Sequence, residues 1–142
     1  MPATPDTILA FDFGLRRIGV AVGQRVTASA SPLAVVRNGE DGPDWETIGL
    51  LIREWQPARI IVGMPVHADG TESKITKRVK SFVEEIARFE LPVETEDERY
   101  SSVEAGERLK AERSLGLRRR IKKETIDSVA ASLIAERWLA RN

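Results

Sequence analysis

The hydrophobic period of this chain changes partway along it, and that change limits the folds available. Up to Asn38 the apolar residues fall in short runs of strand length, TILAFDF from Thr7, IGVAVG at Ile18 to Gly23 and SPLAVVRN at Ser31 to Asn38. The first two are separated by a link short enough for a hairpin, so the three runs are expected to form an antiparallel meander. After the turn-forming run NGEDGPD the spacing becomes helical. Trp45, Ile48, Leu51, Ile52 and Trp55 share one face, with Asp44 as N-cap and Pro57 as terminator.

ARIIVGMP is then a continuous apolar strand of the kind covered on both faces. Val79, Phe82, Val83, Ile86 and Phe89 make a second amphipathic helix, and LPVETEDE reads as a further strand. A third helix is expected from Ser101 or Ser102 through Lys110. The last helix carries IDSVAASLIAERWLA, with Ile126, Val129, Ala130, Leu133 and Ile134 on its apolar face. Strands alternating with helices require parallel crossovers. The expected architecture is α/β: a mixed sheet of three antiparallel strands followed by two parallel ones, flanked by helices.

At 142 residues the chain is expected to be one domain. It has no cysteine and one histidine, His67, which removes thiolate zinc sites, cysteine nucleophiles and multi-histidine centres. Any metal must be held by oxygen. No run resembles a membrane span or a secretory leader, so a cytoplasmic protein without a membrane partner is expected. The formal net charge is zero, which makes local clustering the useful signal. RSLGLRRRIKK at Arg113 to Lys123 holds six bases and no acid, whereas Glu94, Glu96, Asp97 and Glu98 crowd together upstream.

Asp12 is the odd residue in its apolar strand, where a carboxylate is costly unless paired, hydrogen-bonded or bound to metal. Alternation puts Ala10, Asp12 and Gly14 on one face, leaving room for ions and a phosphate. Glu98 ends the run ETEDE at a strand end, where α/β sheets place their sites, but the same run also reads as a solvated charge cluster. Asp127 stands beside the packing face of the last helix. It could point at Asp12, or simply complement the helix dipole. Three carboxylates from separate elements would suit Mg²⁺ or Mn²⁺ and phosphodiester hydrolysis. Arg16, Arg17 and Arg99, with Arg118, Arg119, Arg120, Lys122 and Lys123, are candidates for holding a nucleic-acid backbone. His67 reads as a loop residue, and Trp45, Trp55 and Trp138 as core.

At these residues the chain resembles the YqgF (RuvX) family, described both as Holliday-junction resolvases and as nucleases maturing the 5′ end of pre-16S ribosomal RNA. The similarity covers AFDFGLRRIGVAVGQ at Ala10 to Gln24, EWQPARIIVGMPVHADGTE at Glu54 to Glu72, DERYSSVEA at Asp97 to Ala105 and IDSVAA at Ile126 to Ala131. It implies a ribonuclease-H-like fold, with metal-ligand and catalytic roles for Asp12, Glu98 and Asp127. It also implies a nucleic-acid partner, pre-16S rRNA in preference to branched DNA, and ribosomal particles as a setting. Departures are Leu15 in place of Thr or Ser, YSS at Tyr100 to Ser102, and Glu124 at a common glycine position. DFGLRRIGVAVG is also similar to the phosphate hairpin of actin-like ATPases, but those enzymes bind nucleotide between two lobes. A non-catalytic RNA-binding module is the third reading.

Overall fold

The computed structural model describes residues 7–65, 74–97 and 123–142. In chain order the elements are β1 (Thr7–Phe13), β2 (Arg17–Gln24), β3 (Ser29–Gly39), β4 (Gly42–Pro43), α1 (Trp45–Trp55), β5 (Arg59–Met64), α2 (Lys74–Ile86), a 3₁₀ turn (Ala87–Phe89), β6 (Val93–Asp97) and α3 (Lys123–Arg141). They build one sheet of order β4-β3-β2-β1-β5-β6. β1, β2 and β3 form the expected antiparallel meander, while β5 pairs parallel with both β1 and β6. The expected helix at Ser101 to Lys110 lies outside the described residues.

One strand was not anticipated. Within NGEDGPD the chain turns back so that Gly42 and Pro43 pair with Gly39 and Asn38. Pro43 is tolerated there because β4 is an edge strand, whose outward side needs no backbone donor.

Alternation along β1 divides the core into two layers. Leu9, Phe11 and Phe13, with Ile18, Val20, Ile60 and Val62, pack against Ile48 of α1 and Val79, Phe82 and Ile86 of α2. Ile8, Ala10 and Ile61 pack on the opposite face against Ile134, Ala135, Trp138 and Leu139 of α3. Phe82 is the centre of the first layer, 5.2 Å from Phe13 and stacked on Trp45 at 5.4 Å between ring centroids. Trp138 is 2% exposed and belongs to the second layer, while Trp45 and Trp55 are half-buried against the first. The tryptophans are packing residues, as expected.

α1 begins where its side chains allow. Asp44 caps it, accepting from the Thr47 amide at 3.1 Å and from the Thr47 hydroxyl at 2.7 Å. The helix ends at Trp55, two residues before Pro57, with Gln56 left-handed at φ 44° and its N–H donating to the Ile52 carbonyl. The Thr47 hydroxyl, and then its amide, hold the Asp44 carboxyl below its ordinary pKa. A carboxyl depressed by folding stabilises above its unfolded pKa and loses that contribution as pH falls through the folded one. Asp44→Ala is therefore expected to lower the Tm at neutral pH, and thermal melts of the two proteins should converge on acidification below the ordinary carboxylate range.

Candidate metal and nucleic-acid site

β1, β5 and β6 run parallel, so their C-terminal ends open onto the same end of the sheet. Asp12 lies there, next to last in β1 and half-buried, with the parity of Ile8 and Ala10 and hence on the α3 side. Its cross-strand neighbour is Gly19. A Cβ on Gly19 would come within 2.0 Å of the Asp127 carbonyl oxygen and 3.0 Å of the Ser128 nitrogen. Only a residue without a side chain admits α3 this closely. The result is that the backbone of Asp127 rests on the residue paired with Asp12.

Asp127 is the fifth residue of α3. Its Oδ2 accepts from Arg17 Nε at 2.7 Å, with the two side chains 27% and 34% exposed. Arg17 opens β2 on the same face as Gly19, so strand and helix bring the pair together across 110 residues of sequence. Arg17 was expected to hold nucleic acid; here it is engaged with a candidate metal ligand.

The acidic run is only partly a solvated cluster. Glu94 pairs with Arg59 and accepts from Trp138 Nε1 at 3.2 Å, while Glu96, 7% exposed, pairs with Arg141. Both acids therefore serve to fasten α3 to the sheet edge. Asp97 is exposed, and its carbonyl accepts from Arg137 at 3.3 Å. Glu98 follows it directly in sequence and lies outside the described residues, as do Arg99, Arg118, Arg119, Arg120, Lys122 and His67. Lys123 begins α3, but its side chain is outside the description.

Arg16 is exposed on the turn after β1, and its guanidinium makes no ion pair among the described residues. That turn is held by a residue the sequence reading passed over. The Asn38 amide donates to the Gly14 carbonyl at 2.7 Å, and its backbone N–H donates to the Arg16 carbonyl at 3.0 Å. A cleft of about 430 Å³ beside the turn is lined by Arg16, Asn38, Glu40 and Arg78. Asn38 carried no signal beyond being polar at the end of an apolar run. Gly19 did carry one, as a glycine inside a β-branched strand.

Asp12 and Asp127 carry hard carboxylate oxygens, the donor type a divalent cation takes, one on β1 and one on the helix whose backbone rests on Gly19, the residue paired with Asp12; the Asp127 carboxylate holds the Arg17 guanidinium. Among the described residues no three potential ligands come together.

Residues 6–141 match the RuvX family, described as Holliday junction resolvase. The chain belongs to the RuvX family. It is 47% identical over 139 residues to a Nitrosococcus oceani protein named "Putative pre-16S rRNA nuclease", covering 97% of this chain and 89% of the relative. A protein of the same name from Saccharophagus degradans is 45% identical, covering 95% of this chain and 94% of the relative. These names and the family description are those of nucleases, so the RuvX chain is a hydrolase of phosphodiester bonds. Among solved structures, T. thermophilus RuvC in complex with Holliday junction substrate aligns with TM-score 0.56 and 18% identity, covering 96% of this chain and 95% of that one. The yeast mitochondrial Holliday junction resolvase Ydc2 aligns with TM-score 0.57 and 12% identity, covering 97% and 80%. At these identities the likeness concerns the fold, which is ribonuclease-H-like as expected.

Proposed function

We propose that this RuvX chain is a Mg²⁺- or Mn²⁺-dependent nuclease that processes the 5′ end of pre-16S ribosomal RNA in the cytoplasm, acting on ribosomal precursor particles. The observation that carries the site is the seating of Asp127 on Gly19, beside Asp12, at the end of the sheet where the parallel strands finish. Asp12 and Asp127 would hold the metal, with Glu98, the residue after β6, as the third ligand. Bound there, divalent ions supply a water made acidic enough to attack phosphorus and a counter-charge for the leaving oxygen. Asp12 orients this centre from a rigid central strand, so the carboxylate moves little when substrate arrives. Arg16, exposed on the adjoining turn, grips a backbone phosphate. Arg99, Arg118, Arg119, Arg120, Lys122 and Lys123 extend the grip.

Four-way DNA junctions are the second reading, favoured by the family description. The test incubates purified protein with a pre-16S 5′ leader and, separately, a four-way junction, each with Mg²⁺, Mn²⁺ or EDTA. Metal-dependent cutting of the leader, abolished by EDTA, is expected. Cutting of the junction alone would reverse the substrate. ATP turnover without cutting would replace the nuclease with an actin-like ATPase.

A further inference from the structure

The pair between Arg17 and Asp127 is not needed to place Asp127. The Asp127 backbone is already fixed by its contact with Gly19, and α3 is fastened further along by Trp138 and Arg141. Both members of the pair remain about one-third exposed, so water reaches it and the bond can exchange. What the guanidinium does is place a positive charge on Oδ2, beside the strand that carries Asp12. A guanidinium and a divalent cation compete for the same carboxylate lone pairs.

We propose that Arg17 is a resident counter-cation of the carboxylate site, which a divalent ion displaces from Asp127 and which then turns to the substrate phosphate. The inference rests on reading Asp12 and Asp127 as metal ligands. Arg16, on the turn leading out of β1, directly precedes Arg17 at the start of β2, so the released guanidinium joins a cation that already faces solvent. The arrangement couples the two partners. A phosphate that draws Arg17 away from Asp127 vacates a metal-binding oxygen, and a metal on Asp127 frees Arg17 for phosphate. Each partner therefore tightens the other by the same factor.

The test is calorimetric titration of Mn²⁺, without substrate, into wild type, Arg17→Gln, Arg17→Lys, Arg16→Gln and Asp12→Asn. Removing an exposed competing charge should tighten Mn²⁺ binding by about two- to fivefold in Arg17→Gln. Arg17→Lys keeps the charge and should stay near wild type. Arg16→Gln removes an equal charge from the neighbouring residue and should change the Kd much less. Arg17→Ala gives the same reading as Arg17→Gln if the longer amide packs badly. A second titration adds a short non-cleavable phosphorothioate RNA: it should tighten Mn²⁺ binding in wild type, and by less in Arg17→Gln.

Unchanged or weaker Mn²⁺ binding in both Arg17→Gln and Arg17→Ala overturns the inference while leaving the carboxylate site intact. If Asp12→Asn binds Mn²⁺ as wild type does, or wild type binds none, the metal-site reading falls and this inference falls with it.

Discussion

Asp12→Asn is expected to fold like the wild type and to lose metal-dependent cleavage. Asn has the same shape but a neutral amide, and a hard divalent ion binds it much more weakly than a carboxylate. Asp12 is half-buried on a central strand, with Asp127 seated on its neighbour Gly19, so its carboxylate is held in place by the sheet. Asn is isosteric with Asp, so the variant should still melt cooperatively as a folded protein. The loss in kcat should be at least on the order of a hundred- to a thousandfold, the scale found when one element of transition-state charge stabilisation is deleted. Cleavage of the pre-16S leader under Mg²⁺ and Mn²⁺, followed on a gel, checks the rate, and circular dichroism melts check the fold. Undiminished cutting by the variant would mean a contaminating nuclease, and would leave a non-catalytic RNA-binding module standing.

Among the described glycines, Gly19 should be the most damaged by an added methyl group, as in Gly19→Ala. The added carbon would meet backbone atoms of Asp127 at 2.0 and 2.4 Å, and backbone cannot rotate out of the way as the tip of a side chain can. α3 must lift from the sheet at its N-terminal end. Overpacking of this kind costs about 1–3 kcal/mol and sometimes more, and here it belongs at the upper end. That corresponds to a fall in Tm of about 10 °C for a domain this size. The same displacement carries Asp127 away from Asp12, so Mn²⁺ binding should weaken along with stability. Gly39→Ala is the control, since a Cβ there meets nothing within 4 Å and its melt should match wild type. If both variants melt alike, the close seating of α3 on β2 is wrong.

Much of the sheet could be read in advance because hydrophobic spacing reports directly on which faces are covered. The runs at Thr7, Ile18 and Ser31 became β1, β2 and β3, and the continuous IIVG became the doubly covered β5. β4 could not be read this way. Two residues have no period, and its pairing depends on how tightly the chain turns after Asn38. At the site, Asp12 was legible because a lone carboxylate in an apolar strand demands a partner. Glu94 and Glu96 were harder, since their partners Arg59 and Arg141 are 35 and 45 residues away, and nothing local separates a paired acid from a solvated one. Arg17 illustrates the same difficulty. Beside Arg16 it reads as a second phosphate grip, and its pairing with Asp127 depends on the arrival of α3 from the far end of the chain.

α3 also works as a ruler. Asp127 and Trp138 lie eleven residues apart on one continuous helix, a span of about 16 Å at 1.5 Å per residue. Near the first, the helix presents an acid to Arg17 at the proposed metal site. Near the second, an indole and an arginine clamp it to Glu94 and Glu96 on the outermost strand. The distance from clamp to acid is set by the number of residues between them, so inserting or deleting a single residue in that stretch would rotate the acid by about 100° around the helix axis, off the sheet altogether. The placing of the acid at one end of this helix is thus calibrated by a count of residues made from the other.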